Sequence, residues 1–125
     1  MEVVRRRLER QMSDNRRTDI RLESWMIYRL RPGGHFILAG DAGNEIASGP
    51  RVSSRLVNFD SATMSGVTER GRRYFLLGEG GNGLRLHTAG LLNEWLQVHG
   101  YNLDDVEDAT PEEAEAALSP RSPKP

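Results

Sequence analysis

The stretch Trp25-Met26-Ile27-Tyr28-Arg29-Leu30-Arg31-Pro32-Gly33-Gly34-His35-Phe36-Ile37-Leu38-Ala39 decides how the rest of the chain is read. Trp25, Ile27 and Arg29 alternate with Met26, Tyr28 and Leu30, and a period of two belongs to a strand. Pro32-Gly33-Gly34 turns the chain, and His35 to Ala39 runs back as a second strand. Short apolar runs broken by turns continue as far as Gly83. Gly40 to Asn44 reads as a turn, and Glu45 to Ala47 as a short piece that Ser48-Gly49-Pro50 interrupts, because proline lacks the donor a central ladder needs. Arg51 to Phe59 is the next strand and Asp60 to Thr63 a polar turn. Ser65 to Thr68 and Arg72 to Leu77 form a hairpin around Glu69-Arg70-Gly71, where glycine supplies positive φ. Tyr74-Phe75-Leu76-Leu77 is apolar on both faces, which predicts that this strand is the most central.

Working outward, Thr88 is placed to cap a helix running to about His99, whose Leu91, Leu92, Trp95, Leu96 and Val98 form a wide apolar face, with Gly100 as its left-handed stop. Thr110-Pro111-Glu112-Glu113 is a capping box with proline at the first helical position, predicting two turns over Pro111 to Leu118. The tail 119–125 is expected to lack order. On the other side, Val4, Leu8 and Met12 recur at helical spacing in Met1 to Met12; a basic arm without a helix is the alternative, since no good N-cap precedes it. Arg16 to Arg21 has too little apolar content to be core and reads as a connection. The expected fold is α+β: an N-terminal helix or arm (1–21), a core domain (22–103) of about five mostly antiparallel strands as a meander or small barrel with one packed C-terminal helix, and an acidic short helix with its tail (104–125).

With 125 residues the chain suits one domain able to bury a core without disulfides or metal. It has no cysteine, which excludes zinc–thiolate sites and cysteine nucleophiles. The N-terminus begins with charge rather than a signal peptide's apolar core, and no apolar run spans a membrane, so the expected location is cytoplasmic. Net charge is −1, but its distribution is uneven: residues 1–21 hold seven arginines against four acids, and residues 104–118 hold seven acids and no base.

Ser54-Arg55-Leu56-Val57-Asn58-Phe59-Asp60, followed by Val67-Thr68-Glu69-Arg70-Gly71-Arg72-Arg73-Tyr74-Phe75-Leu76-Leu77-Gly78, resembles short bacterial proteins of unknown function. Those carry a strand ending in Val-x-x-(Leu/Asp) and then a Thr-x-x-Gly-x-x-Tyr-x-Leu-x-Gly hairpin, often with Ser-Pro where this chain has Ser54-Arg55. The resemblance covers about a quarter of the chain, implies a small β-rich fold and brings no activity with it.

Few constellations carry chemistry. Gly78-Glu79-Gly80-Gly81-Asn82-Gly83 follows a strand and precedes a helix, as a phosphate loop does, yet it lacks the closing Gly-Lys-Ser/Thr and carries a carboxylate that repels phosphate. A flexible interstrand loop explains it as well, and whether it takes a ligand is left open. His35, His87 and His99 share no ligand spacing, no Gly-x-Ser-x-Gly elbow exists, and the turn carboxylates do not form a catalytic pair by spacing. No catalytic, cofactor or metal residues are therefore assigned. The leading expectation is a non-enzymatic protein-binding module, an inhibitor or antitoxin-like factor acting on a bacterial partner, with Arg5, Arg6, Arg10, Arg16, Arg17, Trp25 and Tyr28 as partner-binding residues. The alternative is nucleic-acid binding through the N-terminal arginine segment. A solvated helix face, or pairing of those arginines with the acidic 104–118 segment, explains the same charges. Exposed sheet edges or apolar helix faces give a homodimer a route to form.

Overall fold

The structure, a computed structural model, describes residues 19–44 and 47–118. The helix expected over Met1–Met12, the residues Arg5, Arg6, Arg10, Arg16 and Arg17, and the tail 119–125 lie outside the described residues. The elements are β1 (Ile20–Leu30), β2 (His35–Asn44), β3 (Ala47–Val52), β4 (Leu56–Asp60), β5 (Ser65–Thr68), β6 (Arg73–Leu76), α1 (Leu86–Val98), a 3-10 turn (Leu103–Asp105), β7 (Val106–Ala109) and α2 (Pro111–Leu118). The class is α+β, with a mostly antiparallel sheet in the order β3-β2-β1-β6-β5-β4 and β7 added to β1. Because β3 and β4 end the path without pairing to each other, the sheet is open rather than the small barrel offered as one form of the meander.

β1 is the hub of the sheet, with three partners, and shares the middle of the strand order with β6 of the Arg72–Leu77 segment. Along one side β1 pairs with β2; along the other its first residues pair with β6 in parallel (Ile20↔Tyr74, Leu22↔Leu76), and its last with β7 antiparallel (Ile27↔Ala109, Leu30↔Val106). β6 lies inside the sheet between β1 and β5 but is only four residues long. β1 also starts earlier than composition suggested. Ile20 and Leu22 are fully buried while Arg21 and Glu23 point outward, so the expected connection over Arg16–Arg21 gives way at its end to a strand of period two, and the 21/22 boundary falls within β1.

A bulge divides β1. The register with β2 shifts between Glu23 and Met26, and Ser24 takes φ +48°. One extra residue reverses the strand's phase. Ile20 and Leu22 therefore share one core with Trp25 and Ile27, joined by Phe36, Leu38, Leu56, Phe59, Tyr74, Leu76 and Ala114 of α2. Met26, Tyr28 and Leu30 face the opposite way with Ile37 and Ala39, under Leu92 and Leu96 of α1. The bulge needs room on β2. A Cβ at Gly40 would lie 2.9 Å from the Glu23 carbonyl oxygen and 3.1 Å from Trp25 Cα, so only glycine lets the two backbones approach there.

Several boundaries moved for identifiable reasons. Gly40–Asn44 continues β2 instead of turning, pairing with Ala47–Arg51 of β3. β3 is an end strand, and its Pro50 is tolerated because no further strand among the described residues asks for the missing N–H. Helix α1 begins at Leu86 with Arg85 as N-cap, so Thr88 is not the cap. Thr88 is fully buried instead, and its hydroxyl donates to Asp41 Oδ1 at 2.7 Å, tying α1 to β2. Arg85 Nε stands 3.1 Å from Asp41 Oδ2, an ion pair whose geometry is not that of an aligned hydrogen bond. Val98, expected on the apolar face, is 81% exposed, whereas Leu92 and Leu96 are buried. The helix ends as read: Tyr101 N–H donates to Leu96 O and Gly100 N–H to Gln97 O, the Schellman pattern. The Thr110–Glu113 capping box is present in both directions, at 2.8 and 3.1 Å. Among the described residues no helix is long and apolar enough to cross a membrane.

Trp25 is roofed by the 78–83 loop. Its indole Nε1 donates to Gly78 O at 3.4 Å, and Gly81 N–H donates to Trp25 O at 3.0 Å. A Cβ on Gly80 would fall 2.2 Å from the indole ring, so the loop lies flat on Trp25 only with glycine there. Gly80→Ala is expected to lower stability by about 1–3 kcal/mol, the usual cost of overpacking. Urea denaturation of the two proteins measures it, and an unchanged midpoint would show that the loop does not depend on this contact.

Candidate functional site

Three segments distant in sequence meet to form a groove of about 580 Å³. The first wall is the end of β3 and its connection to β4, bearing Arg51, Ser54 and Arg55. Ser53 positions this wall: it is fully buried, its N–H donates to Leu38 O at 2.8 Å, and its hydroxyl accepts from Leu38 N–H and donates to Ser54 O. A buried serine thus extends the ladder of β2 past the end of β3. The second wall is the β5–β6 turn. Gly71 N–H donates to Thr68 O and Thr68 N–H to Arg72 O, a tight closure that presents Glu69, Arg70 and Arg72. The third wall is the last turn of α1 and the residue beyond its stop, bearing Trp95, His99 and Tyr101.

Four arginines, Arg51, Arg55, Arg70 and Arg72, line this groove against a single glutamate, Glu69. Arg51 donates from Nε to the Tyr74 hydroxyl at 3.0 Å and lies 5.9 Å from that ring's centroid. Arg55 forks onto Glu69 at 2.9 and 3.3 Å, and its NH1 donates to His35 Nε2 at 3.1 Å. That fork holds the Glu69 carboxyl below its usual range and raises Arg55. Trp95 stacks on His99 with centroids 4.1 Å apart, and lies nearly parallel to Tyr101 at 6.1 Å. His99 Nδ1 donates to Trp95 O, which fixes the ring's orientation. Planar cations beside half-buried rings suit an anionic ligand with a flat or apolar portion.

The residues singled out from sequence sit elsewhere. Trp25 and Tyr28 are core, 5% and 8% exposed, and so offer a partner almost no surface. Burial, with the Asp108 carboxylate facing it from β7, pushes the Tyr28 phenol up to about 12. In the glycine loop, the Gly81 and Gly83 amides already donate to Trp25 O and Met26 Sδ, so the loop serves as the roof over β1. His35 and His99 border the groove, while His87 is exposed on α1. Among the described residues no three His, Asp or Glu side chains converge as metal ligands. The groove arginines escaped sequence reading because they come from two separate segments, a strand end with its connection and a turn; the nearest signal was Glu69-Arg70-Gly71-Arg72, a charged turn that hairpin chemistry explains equally well.

The Arg55–Glu69 pair makes a pH prediction. Because the folded pKa of Glu69 is depressed, its contribution to stability is fully present above the unfolded value and is lost as pH falls through the folded value. Wild type should melt above Glu69→Gln at neutral pH, and the difference should shrink progressively as pH falls below the ordinary glutamate range. A difference that stays constant across that range in thermal melts would exclude this pair as its source.

No protein-family model matches the chain, and it has no match among curated proteins or solved structures.

Proposed function

We propose that this protein is a non-enzymatic binding module that engages an acidic segment of a partner protein through the groove between the β3–β4 connection, the β5–β6 turn and the end of α1. The observation that carries this reading is the convergence of Arg51, Arg70 and Arg72 with Trp95 and Tyr101 on one concave surface. Trp, Tyr and Arg are the side chains that dominate protein-interface energetics, most of all where a pocket excludes water around them. Guanidinium groups stay protonated at all physiological pH, so they hold charge well and serve poorly as general acids or bases. Holding, rather than transforming, is what this lining does best.

The rigidity of the walls supports the same reading. Ser53 pins one wall to β2, the Schellman stop fixes another, and Glu69 N–H donates to Arg55 O at 2.8 Å to join the β5–β6 turn to the β3–β4 connection. A preorganised surface loses less side-chain freedom on binding. The whole protein has a pI near 6.3 and thus lacks the strong positive charge that non-specific nucleic-acid binding rests on. An inhibitor or antitoxin-like role against a bacterial protein is consistent with such a surface.

The test is affinity capture with the full chain from nuclease-treated native lysate, alongside Trp95→Ala/Arg72→Glu. A protein partner should be recovered in near-stoichiometric yield with wild type and be depleted roughly tenfold with the double variant. Recovery of a small molecule instead, or of a protein equally well with both forms, would reject the groove as the binding surface.

A further inference from the structure

Building on the groove as a peptide-binding surface, we infer that Glu69 is its specificity-determining residue: by sequestering Arg55 it directs the groove toward peptides with sparse carboxylates and away from the phosphate backbone of single-stranded nucleic acid. A cationic groove with aromatic rings is also what single-strand binders use, so something must separate the two classes of ligand. Here that element is built in. Arg55 Nε and NH2 are taken by the two oxygens of Glu69, and NH1 by His35 Nε2. The backbone bond from Glu69 N–H to Arg55 O holds the two residues together, so the fork does not depend on a chance meeting of long side chains.

The remaining arginines are differently placed. Arg70 and Arg72 have no side-chain hydrogen bond or close ion pair among the described residues, Arg70 acting on Glu69 only through its charge, and Arg51 uses only Nε, on the Tyr74 hydroxyl. Three guanidinium groups are thus available to a ligand, with one fixed carboxylate in the same groove. A nucleic-acid strand carries a charge at every nucleotide and meets Glu69 with a phosphate wherever it tracks the groove. A peptide can set an uncharged or basic residue there and its carboxylates opposite the arginines. Like charges brought together suppress the wrong partner, a repulsive element that works beside the favourable contacts to the right one.

Fluorescence anisotropy at low salt with the full chain tests this, using a labelled peptide of widely spaced glutamates with one tyrosine, and a labelled oligothymidylate of equal length. Wild type should favour the peptide. Glu69→Gln should tighten oligothymidylate binding roughly tenfold and steepen its salt dependence by about one phosphate contact, while peptide affinity moves less than about threefold. Adding Arg55→Met to Glu69→Gln should abolish the extra salt dependence, because that contact belongs to the released arginine. Arg72→Glu in the same titrations reports how much of each probe's binding belongs to the groove rather than to the basic residues 1–21. If Glu69→Gln leaves the ratio of the two affinities unchanged, the role of Glu69 is overturned while the peptide reading stands. If wild-type peptide binding is unmoved by Arg72→Glu, or neither probe binds any form, the groove reading itself falls and takes the inference with it.

Discussion

The reversal of phase at Ser24–Trp25 is the constraint on which the rest of this molecule rests. A strand normally serves one core with alternate residues; β1 serves the first core with even positions before the bulge and odd positions after it, freeing Met26, Tyr28 and Leu30 for a second. Everything nearby accommodates that step. Gly40 yields space on β2, the 78–83 loop roofs the displaced Trp25, and α1 covers the face that the later residues expose. The groove inherits its walls from the same arrangement, since one is hung from Leu38 by Ser53 and another is anchored to β2 through Asp41 and Thr88.

Apolar burial and ion pairing divide the work in this fold. Fully burying a large aliphatic side chain is worth about 1.5–3 kcal/mol, and Ile20, Leu22, Ile27, Leu30, Ile37, Leu38 and Leu96 are all at or below 1% exposure. The ion pairs Arg29–Glu107 and Arg55–Glu69 lie at the surface, where solvent and salt screen them. Their part is positional: the first keeps β7 in register with the end of β1, and the second sets the distance between two walls of the groove.

What was legible in the chain was local. The Pro32-Gly33-Gly34 hairpin, the Glu69–Gly71 turn, the Gly100 stop and the Thr110–Glu113 capping box each depend on residues within a few positions of one another, and each stands where reading placed it. What was missed depends on partners far away. Val106-Glu107-Asp108-Ala109 has the composition of an acidic linker and becomes a strand because β1 offers it an edge, with Arg29 opposite Glu107. Thr88 looks like a helix cap until Asp41, 47 positions earlier, is found to accept its hydroxyl. The groove is the extreme case, assembled from residues 51–55, 68–74 and 95–101, none of which carries a motif by itself. Trp25 and Tyr28 stood out as large aromatics, and the double-sided burial of β1 is what turned them inward.

The pairing of β1 carries a consequence for how the chain comes to be folded. The first strand among the described residues needs partners made much later: Ile20 waits for Tyr74, and Leu30 for Val106. Such non-local pairing lengthens the search for the native topology, because the entropy of closing those loops is lost before the contacts reward it. Without its later partners the β1–β2 hairpin has one long edge open, with apolar side chains on both faces at Trp25–Tyr28. That edge is closed in two instalments, by β6 and then by β7, so the acidic segment near the end of the chain completes the sheet as well as carrying charge.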